Sequence, residues 1–274
     1  VFLMFKDITI GQYFPGETLV HKYDPKLKML TMILFIASLF FISSVFMYLP
    51  VVIYLLLIIY VAKLPMGLVL RGLKPLKWII LVTFIINLFF SPGEAKYTFG
   101  ILKISQEGID LAVFMGIRLI LLVLGTSLLT YTTSPIELTD GIESLLRPFR
   151  KIGVPSHEIA MMMSIALRFI PILIEETDKI MKAQMARGAD FESGNLMKRA
   201  KAMIPILVPL FISAFRRANE LAMAMEARCY HGSEGRTKMK PLRYGKNDKI
   251  AYLVLAGYLI VMIGINTALG GRVI

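Results

Sequence analysis

Two stretches of the chain repeat one short pattern that ends in an arginine and a small residue. Ala183–Gly188 reads A-Q-M-A-R-G, and Ala224–Cys229 reads A-M-E-A-R-C, 41 residues later. Small residues on both sides of each arginine make a slim tip that fits a groove. The guanidinium of Arg187 or Arg228 is a planar fork of donors that suits carboxylates and carbonyls. The repeat therefore predicts two similar tips for two similar pockets on other proteins.

A simpler interpretation is available for either arginine taken alone. An arginine in the last turn of a helix interacts favourably with the helix dipole, by about 0.3–1 kcal/mol when it is exposed. Repetition of the whole pattern favours docking over this interpretation. The predicted docking motifs consist of Ala186, Arg187, Gly188, Ala227, Arg228 and Cys229.

The composition of the chain is that of a membrane protein. Apolar residues make up 56% of it and charged residues 18%, against about 25% charged residues in soluble domains. The mean hydropathy is +0.67. A spanning helix needs about 20 predominantly apolar residues. Uncharged runs of 16 to 34 residues occur at Met29–Ala62, Trp78–Gly93, Leu119–Ile136 and Ile250–Gly271.

The first of these runs is too long for a single span. Its 34 residues would reach about 50 Å as a helix, whereas the hydrocarbon core is about 30 Å thick. Pro50 lies inside the run and is the natural break, which predicts a tight hairpin of two helices. We therefore predict an all-α integral membrane protein with about five spans, at 29–47, 50–63, 76–92, 110–132 and 250–269.

The basic residues predict the orientation of these spans. Of the 31 Lys and Arg residues, 19 lie in 137–249, whereas the turn at Pro50 has none. Cytoplasmic loops carry an excess of such residues. Five spans place every basic segment on one side, with the N-terminus inside and the C-terminus outside. This topology accounts for the net charge of +12 without any binding of nucleic acid. The predicted parts are 1–133 with four spans, a cytoplasmic domain at 134–248, and the last span at 249–274.

The cytoplasmic domain is predicted to consist of amphipathic helices. Ser134–Glu137 has the pattern of a capping box with proline at the first helical position. A second helix is expected from Ser156 to about Arg187, and a third from about Leu196 to Arg228. Small residues at i, i+4 spacing let two helices cross closely, although alanine also simply favours helix. The residues of this predicted crossing are Ala214, Ala218 and Ala222.

Arg118 is the one charge that lies away from the ends of the predicted spans, and such residues are costly enough to suggest a role. It either extends towards the outer surface or bonds backbone carbonyls. The histidines at 21, 157 and 231 have no metal-ligand spacing such as H-x-x-x-H, and the phosphate-loop pattern is absent. We therefore predict that this chain holds no metal and binds no ATP itself.

Several motifs together resemble the transmembrane (T) component of energy-coupling factor (ECF) transporters, the CbiQ-like family, over almost the whole chain. The opening segments Gly11–Gly16 and His21–Lys28 and the segment Thr133–Leu138 are similar to that family. The most specific likeness is that of Ala186–Gly188 and Ala227–Cys229 to the family's two X-Arg-X motifs. Cys229 stands where glycine is often found, and it keeps the position small.

The resemblance implies a non-catalytic scaffold in a bacterial or archaeal cytoplasmic membrane. Two similar or identical ATP-binding-cassette (ABC) ATPases would bind ATP and magnesium and receive the two arginines. A membrane-embedded S component would bind a vitamin or another micronutrient, and the long coupling helices would transmit ATP-driven motion to it. The alternatives are an intramembrane enzyme, for which clustered acids or a nucleophile at membrane depth are missing, and a secondary transporter, for which inverted repeats are expected.

Overall fold

The structure is a computed structural model that describes residues 13–90, 95–99, 102–191, 195–232 and 245–268. It divides into two compact units. The first, here called the membrane unit, contains Gly11–Gly141 and Leu242–Ile274. The second, called the long-helix unit, contains Ile142–Pro241. Gly11 and Gln12 of the opening motif, and both chain termini, lie outside the described residues.

Helices make up most of both units. The long-helix unit contains α8 (Ser156–Ala186) and α9 (Leu196–Ala227). Short 3₁₀ turns lie at Val45–Met47, Lys74–Leu76 and Arg147–Ile152. A small antiparallel hairpin pairs β1 (Ala95–Phe99) with β2 (Leu102–Ser105). The other helices, in chain order, are α1 (Leu19–Lys22), α2 (Pro25–Phe40), α3 (Tyr48–Ala62), α4 (Met66–Arg71), α5 (Lys77–Phe90), α6 (Gln106–Thr132), α7 (Pro135–Leu146) and α10 (Lys246–Ala268).

The three predicted helices of the segment 134–248 are present as α7, α8 and α9. The capping box at the start of α7 is confirmed, because Glu137 N donates to Ser134 Oγ at 3.3 Å and Ser134 N donates to Glu137 Oε2 at 3.2 Å. Two of the backbone donors that every helix start leaves unpaired are thereby satisfied.

Five helical stretches among the described residues are long and apolar enough to cross a membrane, so the chain is an all-α integral membrane protein. The number agrees with the prediction, but the set differs. Four stretches overlap predicted spans. The fifth, Ser156–Ala186, falls in the predicted cytoplasmic domain, and the predicted span 29–47 is not among them. The stretches are Val45–Ala62, Met66–Phe90, Gln106–Thr132, Ser156–Ala186 and Asn247–Thr267.

The prediction of a break at Pro50 is wrong. Pro50 lies in the first turn of α3, where proline is tolerated because the N–H groups there have no intrahelical acceptor. The break comes earlier, since α2 ends at Phe40 and a 3₁₀ turn precedes α3. With 16 residues, α2 reaches about 24 Å, which is short of a bilayer core of about 30 Å.

The membrane unit has a continuous apolar core formed by α2, α3, α6 and α10. Within it the ring of Tyr54 stacks on that of Tyr258 with centroids 4.4 Å apart, and the ring of Phe35 lies 6.3 Å from Tyr54. A side chain at Gly125 would clash with the Phe35 ring, so glycine is required where α6 passes α2. These contacts join three helices through aromatic rings.

By contrast, α5 contributes no buried residue to this core. It packs against α6 and exposes large apolar side chains on its other sides. Its second residue, Trp78, is the only tryptophan of the chain. Trp78 is 64% exposed, and the ammonium group of Lys77 lies 5.3 Å from its ring centroid. Tryptophan beside lysine is typical of a helix end at the membrane–water interface.

The opening motif His21–Lys28 forms a buried polar cluster in the membrane unit. Lys28 Nζ donates to the backbone oxygens of His21 and Thr132, at 2.9 Å in each case. Asp24 accepts from Lys26 N at 2.8 Å, and Asp24 N donates to Asp248 Oδ1 at 3.1 Å. The cluster therefore joins the starts of α2 and α10 to the end of α6.

The buried ammonium group of Lys28 lies near three carboxylates. Burial lowers the pKa of Lys28 from 10.5 to about 8, while the nearby carboxylates of Glu137, Asp24 and Asp248 act in the opposite direction. Lys28 therefore keeps its proton at neutral pH. The Lys28 residue is only 7% exposed. The carboxylates that favour its positive charge come from three separate parts of the chain.

Candidate functional site

The first predicted docking motif forms the C-terminal cap of α8. Arg187 is the cap residue, with φ −89° and ψ 7°, and Gly188 follows in the left-handed region at φ +86°. Gly188 N donates to the carbonyl of Met185 at 2.9 Å, and Ala189 N donates to that of Gln184 at 3.0 Å. These two bonds define a Schellman motif, in which the chain turns sharply out of the helix.

The second motif forms the same cap on α9. Arg228 is the cap residue, with φ −94° and ψ 16°, and Cys229 follows at φ +56°. Cys229 N donates to the carbonyl of Glu226 at 2.8 Å, and Tyr230 N donates to that of Met225 at 3.0 Å. The repeated sequence pattern therefore corresponds to a repeated backbone conformation. Both helices end in Schellman motifs with arginine at the C-cap position.

This geometry explains the small residue after each arginine. That residue must adopt the left-handed conformation, which glycine reaches without strain and which costs other residues about 1–2 kcal/mol. Gly188 meets the requirement without cost, whereas Cys229 is strained there. The backbone conformation, in addition to the size of the tip, therefore restricts the choice of residue after each arginine.

All six residues of the two motifs are exposed. Neither the Arg187 nor the Arg228 side chain is engaged in a hydrogen bond or ion pair with the residues that the structure describes. Both guanidinium groups are thus available to a partner. Cys229 is an exposed free thiol beside the second arginine.

The two long helices pack against each other within the long-helix unit. An ion pair joins them: Arg217 Nη2 donates to Glu176 Oε2 at 3.4 Å. Sequence analysis missed this pair. The 41-residue offset that relates Arg187 to Arg228 also relates Glu176 to Arg217, although the offset alone does not predict that the two side chains meet.

The structure corrects the predicted crossing at Ala214, Ala218 and Ala222. Ala218 and Ala222 are exposed, and Ala214 is half-buried. The helix face that meets α8 carries Arg217, with the buried Ser213 one turn before it. Successive residues are rotated by about 100° around a helix, so the exposed Ala218 and Ala222 lie beside the face that carries Arg217 and not on it.

Arg118 takes the second of its two predicted roles. Its Nη2 donates to the backbone oxygen of Ile42 at 3.0 Å, and its guanidinium carbon lies 4.7 Å from the ring centroid of Phe114 and 5.8 Å from that of Phe40. Ile42 follows the end of α2, where carbonyls lack helical partners. Arg118 therefore supports irregular backbone between α2 and α3, which is tolerated at membrane depth only when its polar groups are paired.

The chain is similar to known proteins over nearly its whole length. A family model for CbiQ, described as a cobalt transport protein, matches residues 16–239. The energy-coupling factor transporter transmembrane protein EcfT of Acidaminococcus fermentans is 57% identical over 259 residues, which cover 94% of this chain and 97% of that protein. EcfT of Clostridium kluyveri is 56% identical over 252 residues, covering 91% and 93%. EcfT of Bacillus subtilis is 46% identical over 263 residues, covering 94% and 99%.

These matches and the five apolar helices define a transmembrane component of a transport system. More narrowly, the chain belongs to the CbiQ family, the T components of energy-coupling factor transporters. The family resemblance carried by the two arginine motifs is thereby confirmed.

Proposed function

We propose that this chain is the non-catalytic coupling subunit of an importer for a vitamin or another micronutrient. It would join two ABC ATPases to a substrate-binding S component and transmit ATP-driven motion between them. The observation that carries the proposal is the pair of matching Schellman ends, each with an exposed arginine at the cap position. Two equivalent tips fit two ATPase subunits of similar shape.

The docking chemistry follows from the geometry of each tip. The chain leaves the helix at the residue after the arginine, so no further helical turn covers the guanidinium. Arginine can then donate in a bidentate fashion to carboxylates or carbonyls in a groove. ATP and magnesium would bind to the partner ATPases, and this chain would hold neither.

The S component would contact an apolar surface of α9. Exposed side chains there include the stacked pair Phe211 and Phe215, whose ring centroids are 6.2 Å apart. Large exposed apolar patches mark interaction surfaces. Other members of this surface are Ile204, Leu207, Val208 and Ile212, each more than 40% exposed.

The docking role is tested by reversing the charge of each tip. We expect Arg187→Glu and Arg228→Glu each to weaken co-purification of the ATPases, with the double variant losing both. Each substitution places a carboxylate against the acceptors of the groove and would cost about 2–5 kcal/mol for a buried contact. Arg199→Glu, an exposed position at the start of α9, is the matched control. Normal ATPase recovery and full uptake by the double variant would refute the docking role.

We also propose that residues 134–248 lie on the cytoplasmic side, which requires that α8 does not cross the membrane. Ile152 and Met197 flank α8 and are 80% and 71% exposed. In a Cys229→Ser background, cysteines at both positions should resist a membrane-impermeant label in sealed cells, whereas a cysteine at Lys96 should react. If Ile152 and Met197 label from opposite sides, α8 spans and this topology is wrong.

A further inference from the structure

The two long helices carry opposite charges at equivalent positions. Glu175 and Glu176 in α8 correspond, by the 41-residue offset, to Arg216 and Arg217 in α9. Glu176 lies eleven residues before Arg187, and Arg217 lies eleven residues before Arg228. An acidic pair and a basic pair therefore stand at the same distance from the two helix ends.

One residue of the acidic pair forms an ion pair with one residue of the basic pair, whereas no ion pair joins the remaining two residues. The side chains of Glu176 and Arg217 are 27% and 35% exposed and contact each other at 3.4 Å. Glu175 is exposed. Arg216 contacts Glu220 of its own helix at 3.9 Å, with both side chains more than 60% exposed. The inner pair thus connects the helices, and the outer residues provide a matched comparison.

The Glu176–Arg217 ion pair lies at the same distance along each helix from the arginine at its end. Each segment from the ion pair to its arginine contains eleven residues, which is about 16 Å of helix. Both segments are uninterrupted α-helix, and the prolines of α8 and α9 lie before the ion pair. A rotation about the ion pair would therefore displace both arginines by equal amounts.

The contact is also of a kind that permits rotation. Apolar ridges packed into grooves fix a crossing angle, whereas a single ion pair between flexible side chains can persist over a range of angles. Two polar atoms at this contact, Ser213 Oγ and Arg217 Nε, are enclosed and have no hydrogen-bond partner among the described residues. At this level the helices are thus connected by a charged contact between two flexible side chains.

We propose that the Glu176–Arg217 ion pair is the pivot of the two long helices, and that it positions Arg187 and Arg228 so that motion of one ATPase is matched by motion of the other. This inference rests on the proposed coupling function. It assigns Glu176 and Arg217 as positioning residues that act through the docking arginines and do not touch the ATPases.

The test uses charge reversal in the complete transporter, reconstituted in liposomes with its ATPases and S component. Glu176→Arg and Arg217→Glu should each retain both ATPases but lower substrate uptake per ATP hydrolysed by at least about fivefold, in the range of typical coupling between sites. The double reversal, Glu176→Arg with Arg217→Glu, should restore the wild-type ratio. A purely structural role would change yield or thermal stability without this rescue.

The same charge changes one residue earlier, Glu175→Arg and Arg216→Glu, are the controls and should leave the ratio unchanged. If the single Glu176 and Arg217 variants keep the wild-type ratio, or if the double reversal is as defective as either one, the pivot is refuted. If the wild-type chain itself fails to retain the ATPases, the proposed function fails, and the pivot fails with it. Retention of the ATPases therefore separates the two outcomes.

Discussion

The membrane unit has a continuous buried core, whereas only five of the described residues in the long-helix unit are buried: Ser156, Ala160, Met181, Ile206 and Ser213. The membrane unit packs aromatic rings and pairs its buried charges internally. The long-helix unit exposes phenylalanines, methionines and both docking arginines. The first unit thus stabilises itself, whereas the exposed apolar side chains of the second fit its proposed contacts with other proteins. Substitutions in the two units should accordingly have different consequences.

The largest effect on stability is expected in the membrane unit. Lys28→Met removes the donor to the His21 and Thr132 carbonyls and leaves nearby buried carboxylates without their counter-charge. We expect a loss of about 3–5 kcal/mol in the free energy of unfolding in detergent. Lys22→Met, at a side chain that is 61% exposed, is the control and should change little. Equal stability of the two variants would show that the polar cluster does not hold the unit together.

A smaller effect is expected on the stability of the last turns of α8 and α9. Substitutions at the two helix ends should change this stability in opposite directions. Gly188→Ala introduces a side chain at φ +86°, and Cys229→Gly removes one at φ +56°. The first should weaken the last turn of α8 by about 1 kcal/mol, and the second should strengthen that of α9 by a similar or smaller amount. Hydrogen exchange of the last-turn amides measures both. A change of the same sign at both ends would contradict the equivalence of the two caps.

The smallest effect on stability is expected from the exposed apolar surface of α9. Phe211→Ser with Phe215→Ser should alter the free energy of unfolding by less than about 0.5 kcal/mol per residue, because both rings are exposed. The same variant should lose the S component during co-purification and keep the ATPases. Retention of the S component would remove this surface from the proposal.

Local signals in the sequence were sufficient for much of the fold. The capping box at Ser134–Glu137 and the glycine at 188 specify helix ends through neighbouring atoms, and the structure has both. The two matching helix ends could be found because one pattern occurs twice. In each of these cases the physical cause lies within a few residues of the pattern.

Features that depend on distant contacts were missed or misplaced. The presence of proline at position 50 does not reveal whether it breaks a helix or lies in the first turn of one. The backbone after α2 is bonded by Arg118, which lies 76 positions from Ile42 in the sequence. The alanines of α9 indicate that one face of the helix carries small side chains, but their spacing does not indicate which face packs against α8. The partner of Arg217 becomes evident only once the two helices are known to pack together.

The position of Trp78 has a practical consequence for work on the complex. Since the chain contains one tryptophan, its fluorescence reports a single location, the exposed start of α5 beside Lys77. The emission wavelength and its quenching by brominated lipids would measure the depth of that helix end directly. In a complex whose partner proteins have had their tryptophans replaced, changes during ATP turnover would then show whether α5 moves, without any label attached to the protein.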